Sequence, residues 1–307
     1  MANLPQKTQS QSSPVVIKNS GLKIIAIIPA RYGSTRLPGK PLIKIAGKSI
    51  IQYVYENIKH SKLISEVVVA TDDYRIYDEV IGFGGKAAMT PADCASGTDR
   101  LAWLINQPEY SDFEIIVNVQ GDEPALEYTE VDKAINLLIE NKSDVATLAV
   151  KFSNIEDIKN PNCVKVTISN NSDALYFSRS IIPFPRDIEI SAGNYYKHIG
   201  VYVFTKAALL DFTKLQLGKL EQIEKLEQLR LLEAGRKISV ALTDRETVGL
   251  DTPEDLERLK MIMEIKPKFA NKRLCAIYGR PIGHSLSPLI HNYLFEKYGL
   301  PYYYEAF

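Results

Sequence analysis

Cysteine and histidine are both scarce here: 307 residues carry three cysteines (Cys94, Cys163, Cys275) and four histidines. The cysteines lie far apart with no C-x-x-C spacing, which excludes a disulfide framework and a thiolate zinc site and fits a reducing compartment. Only His284 and His291 are near each other, and a spacing of seven matches none of the usual zinc patterns. No apolar run approaches the roughly 20 residues that cross a bilayer. Charge of one sign is not in excess either, since Lys plus Arg and Asp plus Glu both number 37. No global field therefore recruits nucleic acid or an anionic membrane, and neither is expected as a partner. The opening "MANLPQKTQSQSSPVVIKNS" lacks the apolar core of a signal peptide and reads, through residue 21, as a disordered leader. A cytoplasmic location is the default expectation.

What is present begins at "LKIIAII" (22–28), a near-continuous apolar, β-branched run suited to a strand buried on both faces of a parallel sheet. Pro29 ends it, and "ARYGSTRLPGK" follows with Arg31, Arg36 and Lys40. Ligands of open α/β sheets bind at the carboxyl ends of the strands. Basic side chains there, with Gly33 and Gly39 for sharp turns, describe a polyphosphate cradle. Neither G-x-x-x-x-G-K-[ST] nor G-x-G-x-x-G is matched. Spacing alone leaves open a solvated surface loop.

Apolar runs recur at 66–73, 114–124, 144–150, 163–169, 174–179 and 198–204, with helical patterns at 49–60 and 131–141. This order predicts an α/β fold, a doubly wound and mostly parallel sheet with a β-rich excursion near 160–200. Two early strands end in acid, at Asp72–Asp73 and at Asp122–Glu123. Carboxylates beside a basic loop suit Mg²⁺ bound together with substrate phosphates. For Asp73 a helix N-cap is the competing explanation.

The stretches "IIPARYGSTRLPGKPL", "VVVATDD", "SGTDRLA", "IIVNVQGDEP", "ALYFSRSIIP", "KHIGVYVF", "EKLEQLRLLEAG" and "DTPEDLERLK" resemble, in order over 22–264, the 3-deoxy-manno-octulosonate cytidylyltransferase (CMP-Kdo synthetase) family of lipopolysaccharide assembly. The resemblance implies a nucleotidyltransferase-type fold, a homodimer, and Mg²⁺-dependent transfer of CMP from CTP to Kdo with release of pyrophosphate. It implies nucleotide contacts at Ala30, Arg31, Gly33, Ser34, Lys40, Asp72, Ser96, Gly97, Thr98 and Arg100, with Arg31 and Lys40 catalytic on the triphosphate. It places the metal on Asp122 and Asp251, and the acceptor sugar on Gln120, Arg179, His198, Glu227 and Gln228. Without the resemblance, Ser96, Thr98 and Asp251 would read as helix caps, and Glu227 as a partner of Arg230. Other acceptors of the same class, 8-amino-Kdo or a sialic acid, stay open, as does a non-catalytic nucleotide-binding fusion remnant.

After residue 264 the character changes. "IKPKFANKR" (265–273) reads as a linker, and 274–307, with "PIGHSLSP", resembles the start of shikimate dehydrogenase, whose carboxylate-binding serines would match Ser285 and Ser287. That family's catalytic pair and cofactor domain would lie beyond Phe307, so dehydrogenase activity is not expected of this chain. Such a fragment is too small to bury its own core. It is expected to be loosely held or to lay its helix on the first domain.

Overall fold

The computed structural model describes residues 21–33, 37–187, 189–245, 247, 249–250, 252–268, 273–277 and 287–306. The leader through residue 20, and with it Ser34, Arg36, Asp251, His284 and Ser285, lie outside the described residues.

The strands are β1 (Ile24–Ala30), β2 (Lys44–Ile45), β3 (Lys48–Ser49), β4 (Glu66–Thr71), β5 (Ala87–Met89), β6 (Ile115–Asn118), β7 (Val145–Lys151), β8 (Lys165–Ile168), β9 (Ala174–Ser178), β10 (Tyr196–Thr205), β11 (Ile238–Thr243), β12 (Arg273–Ile277) and β13 (Tyr302–Ala306). The helices are α1 (Ile50–Ile58), α2 (Tyr74–Gly82), α3 (Gly97–Ile105), α4 (Tyr128–Asn141), α5 (Ile155–Lys159), α6 (Lys206–Phe212), α7 (Lys219–Glu224), α8 (Gln228–Glu233), α9 (Pro253–Lys268) and α10 (Ser287–Lys297).

One sheet runs β11-β7-β10-β6-β1-β4-β5, with β8 and β9 attached beside β10. β1 pairs in parallel with β4 and β6, and β11 in parallel with β7. β10 is antiparallel to both β6 and β7, and β8 to both β9 and β10. The excursion expected near 160–200 is thus the β8–β9 hairpin together with the entry to β10.

Alternation along β1 divides its side chains between two cores. Ile24, Ala26 and Ile28 meet α1, α2 and α4 on one face, through Ile51, Val54, Ile76, Val131 and Ile135. Ile25 and Ile27 meet α3, α6 and α8 on the other, through Leu101, Ile105, Leu209 and Leu229. The α1 residues Ile51, Val54, Tyr55 and Ile58 follow the i, i+3, i+4, i+7 spacing of an amphipathic helix. α2 starts at an N-cap: Asp73 Oδ1 accepts the Arg75 N–H at 3.0 Å, the capping role weighed for this residue. α9 continues through Lys268, into the segment read as a linker, and anchors by Leu259 and Met263 against Ile45, Ile50 and Leu250.

β12, α10 and β13 form a parallel βαβ unit with its own two-stranded sheet. Asn292 closes it, donating to the Tyr304 carbonyl and accepting the Tyr304 N–H, each at 2.7 Å, while His291 stacks on the Tyr304 ring at 4.3 Å. The helix packs on its own strand β13, while Ile290, Tyr293 and Tyr298 stay exposed.

Ile27 sits at the centre of the sheet, fully buried. Ile27→Ala is expected to lower the unfolding free energy by about 2–5 kcal/mol in urea denaturation, the usual cost of deleting a large buried aliphatic group.

Candidate nucleotide and acceptor site

β1, β4 and β6 are parallel and end on one edge, so Arg31, Asp72 and the segment Gln120–Asp122 leave the sheet together. β10 runs the other way and starts at that edge, with His198 opposite Ala149 near the end of β7.

The basic loop is closed by its own residues. Gly39 has φ 69° and donates its N–H to the Tyr32 carbonyl at 3.0 Å. A Cβ at Gly39 would lie 3.2 Å from the Tyr32 ring, over which the Arg75 guanidinium sits 3.2 Å from the centroid. The turn delivers Lys40 to a buried position, where its Nζ donates to Asp122 Oδ2 at 2.7 Å. Gly121 permits the approach from the other side, since a Cβ there would stand 3.2 Å from the Pro29 carbonyl. Arg31 and Gly33 are exposed, and Arg31 Nη2 donates to the Cys94 carbonyl, tying the loop to the segment that precedes Ser96. Ala30 is buried and offers only its main chain.

Ser96 caps α3 in a capping box: its Oγ accepts the Asp99 N–H at 3.2 Å, and Asp99 Oδ2 accepts the Ser96 N–H at 3.0 Å. The cap expected at Ser96 is present, while Gly97 and Thr98 open the helix beside it. Arg100 is fully buried behind them, with Nη2 donating to Asp72 Oδ2 at 3.0 Å and Nη1 to the Thr90 hydroxyl. The Arg100 and Asp72 side chains thus hold each other beneath the segment.

Asp122 is joined to the C-terminal part of the domain by its main chain: its carbonyl accepts the Leu250 N–H at 2.9 Å. Asp251 follows Leu250 in sequence. The cap of α9 is Thr252, whose Oγ1 accepts the Asp255 N–H at 3.2 Å while Asp255 accepts the Thr252 N–H at 2.9 Å. The capping task considered for Asp251 thus falls to Thr252. Among the described residues no group of three or more His, Cys, Asp or Glu could hold a metal ion. What the described residues do offer a hard cation is Asp122, with a carboxylate about a third exposed at the sheet edge.

The residues matched to the acceptor lie just past β6 and β9, on β10 and at the start of α8. Arg179 directs its guanidinium to the carbonyls of Glu224 (2.7 Å), Pro161 (3.0 Å) and Lys225 (3.4 Å). His198 Nε2 lies 2.9 Å from Thr147 Oγ1, and that hydroxyl donates to the Val201 carbonyl at 2.6 Å. The hydroxyl proton being committed, the network assigns the His198 proton to Nε2 and leaves Nδ1 as an acceptor. Phe177 and Tyr202 flank the ring at 5.0 and 5.4 Å, and burial pushes the imidazole pKa down to about 3. Glu227 Oε2 accepts the Thr98 hydroxyl at 3.1 Å, and burial holds this carboxyl above its ordinary range against the opposing effect of that bond. The partnership with Arg230 weighed for Glu227 goes instead to Glu221, which binds that guanidinium bidentately at 2.6 and 2.7 Å. Gln228 is buried, and its Nε2 has no hydrogen-bond partner among the described residues. Gln120 Nε2 donates to Asn118 Oδ1 at 3.3 Å. Thr147, Thr90 and Glu224 take part here without having been singled out in the sequence.

A cytidylyltransferase family model matches residues 25–238. The chain is 50% identical to 3-deoxy-manno-octulosonate cytidylyltransferase of Thermodesulfovibrio yellowstonii, over 76% of this chain and 95% of the relative. It is 46% identical to 8-amino-3,8-dideoxy-manno-octulosonate cytidylyltransferase of Shewanella halifaxensis, over 76% and 96%. A solved structure of CMP:2-keto-3-deoxy-manno-octonic acid synthetase complexed with CTP superimposes with TM-score 0.75 at 42% identity, covering 80% of this chain and 99% of that one. A model of the shikimate dehydrogenase substrate binding domain matches residues 277–307.

Two outcomes are expected from this geometry. Asp72→Asn leaves the fully buried Arg100 without its counter-ion and should cost about 3–5 kcal/mol in urea denaturation. His198 is neutral in both folded and unfolded chains above pH 6.5, and only the unfolded chain takes up its proton between pH 6.5 and 3. Stability is therefore lost as pH falls through that window, by at most about 1.4 kcal/mol per pH unit for this residue. Urea midpoints of His198→Gln against pH should lack that component.

Proposed function

The chain belongs to the cytidylyltransferase family, and from that premise we propose that it transfers CMP from CTP to the anomeric hydroxyl of Kdo, releasing pyrophosphate, with Mg²⁺ as cofactor. The observation that carries this reading is the Lys40–Asp122 pair at 2.7 Å on the carboxyl edge of the sheet, with the segment leading into residue 251 bonded to Asp122.

In the reaction the anomeric oxygen forms a bond to the α-phosphorus, the bond to the bridging oxygen of pyrophosphate breaks, and the hydroxyl proton leaves to solvent. Charge builds on the phosphate oxygens as that bond breaks, and Arg31 and Lys40 are the cations placed to offset it. Ser34 belongs to the same loop and is part of this proposal. Asp122 and Asp251 are the residues that would hold Mg²⁺, which supplies further charge neutralisation and makes the acceptor hydroxyl more acidic. The main chain at Ala30, Gly33 and Gly97, with Ser96 and Thr98, surrounds the nucleotide, and Asp72 and Arg100 support that segment from behind.

The acceptor is a 2-keto sugar acid. Arg179 carries the charge for its carboxylate. Its hydroxyls meet the Nδ1 acceptor of His198, the carboxyl of Glu227, Gln120 and the unpartnered amide of Gln228. A buried donor without a partner is costly, and a ligand hydroxyl there would satisfy it.

Residues 22–264 constitute the transferase domain in this reading, and 274–307 a separate unit. CTP as substrate and few, widely spaced cysteines fit the cytoplasm, and CMP-Kdo as product fits lipopolysaccharide biosynthesis. Leu175, Phe184 and Leu242 are exposed at 62%, 82% and 48% and offer apolar area for a homodimer.

The decisive measurement is pyrophosphate release from CTP and Mg²⁺ with Kdo, with 8-amino-Kdo, and with neither. Release that needs a sugar, runs faster with Kdo and falls at least about a hundredfold in Asp122→Ala supports the reading. Faster release with 8-amino-Kdo would reassign the acceptor, and none with either would sink the proposal.

A further inference from the structure

Arg179 is held at both ends by one residue. Glu224 Oε2 accepts the Arg179 main-chain N–H at 2.9 Å, and Oε1 accepts the hydroxyl of the preceding Ser178 at 2.6 Å. The Glu224 carbonyl in turn accepts from Arg179 Nε, and the next carbonyl, that of Lys225, from Nη2. Lys225 has φ 54° and ends α7, so the carbonyls there have no further turn of helix to bond and face an outside donor.

The third carbonyl, that of Pro161, is braced as well. Its turn is gripped by Lys165, whose Nζ donates to the Asn160 and Cys163 carbonyls at 3.0 and 2.7 Å. Lys165 is fully buried. Burial pushes its pKa down, the Glu224 charge opposes that shift and the Arg179 charge adds to it. Lys165 is sealed in the interior, whereas Arg179 keeps a partly exposed surface.

The guanidinium has five N–H donors, and the carbonyls engage one each on Nε, Nη1 and Nη2. Consecutive carbonyls occupy the Nε–Nη2 edge. Two donors are left over, one on Nη1 and one on Nη2. We propose that Glu224 is a positioning residue for acceptor recognition: by clamping Arg179 through both its main chain and its guanidinium, it fixes the guanidinium so that these remaining N–H donors face the carboxylate of the acceptor. The proposal rests on Arg179 being the acceptor's carboxylate contact.

The test is steady-state kinetics with the acceptor acid and its methyl ester, which keeps the shape and removes the charge. Glu224→Gln keeps one acceptor for the Arg179 N–H but removes the charge and the acceptor for the Ser178 hydroxyl, which must reverse its role while it also accepts the Ser180 N–H, so the clamp is loosened. It should raise the acceptor KM about tenfold or more, and cut the preference for acid over ester by a similar factor, with the CTP KM within about twofold. Ser178→Ala, a milder change, should move the same quantities about two- to fivefold in the same direction and serves if the glutamine variant does not fold. An unchanged acid-to-ester preference in these variants, or a parallel rise of both KM values, overturns the clamp. Arg179→Ala separates the two ideas. If it abolishes the acid preference while the Ser178 and Glu224 variants keep it, only the clamp fails; if it leaves the preference intact, the assignment of Arg179 and the clamp fail together.

Discussion

The parallel pairing of β1 with β4 and β6 is the constraint from which the rest follows. β1 runs beside β4 from Ile25 opposite Glu66 to Ala30 opposite Thr71, and beside β6 from Ile24 opposite Ile115 to Ile27 opposite Asn118. Parallel neighbours cannot be joined by a tight turn, so the chain returns through α1 after β1 and through α3 after β5, on opposite faces of the sheet. Both faces are thereby covered, and β1, β4 and β6 carry no charged side chain beyond Glu66 at the first position of β4. Every charge that belongs to these strands is pushed to their ends, and parallel strands end together. The basic loop, Asp72 and Asp122 meet for that reason, although long stretches of sequence separate them.

Charges crowded at a half-covered edge need counter-ions, and the structure supplies them in pairs. Arg100 has Asp72, Lys40 has Asp122, and Arg230 has Glu221. Removing one member of a buried pair leaves the other uncompensated, which costs more than the pair itself contributes. The arrangement therefore favours one geometry over its alternatives. Pairs with a partly exposed member differ in consequence. Asp122 and Arg179 each keep a surface toward solvent, so they can bind a ligand's charge without first being uncovered.

The sequence disclosed most of this where a pattern repeats. The apolar runs that became β1, β4, β6, β7 and β10 were visible because strands buried on two faces are nearly free of polar residues. β5, only Ala87–Met89, is too short to carry a period, and β11, "ISVALT", is broken by Ser239 and Thr243, which are buried. The motif residues Lys40 and Asp122 were legible by resemblance, and their contact is now a distance. In "DTPEDLE" the sequence suggested Asp251 as the cap, and the adjacent Thr252–Asp255 box takes that role. Least visible were the partners of Arg179. They are main-chain carbonyls, and every residue has one, so no side chain announces which will converge on a guanidinium. The tail illustrates the opposite case: its helix and strands were readable, but where its apolar face lies depends on contacts that a local pattern does not encode.

The hydroxyl of Thr98 shows how such a contact sets chemistry. It stands in the first turn of α3 and donates its single proton to Glu227, at the start of α8. Its oxygen then has only acceptor capacity left. The Thr98–Glu227 bond therefore ties the polarity of a hydroxyl on α3 to the start of α8. Burial raises the pKa of the Glu227 carboxyl, but a protonated Glu227 would still accept through its carbonyl oxygen. The polarity of Thr98 is thus fixed by geometry rather than by the protonation state of its partner.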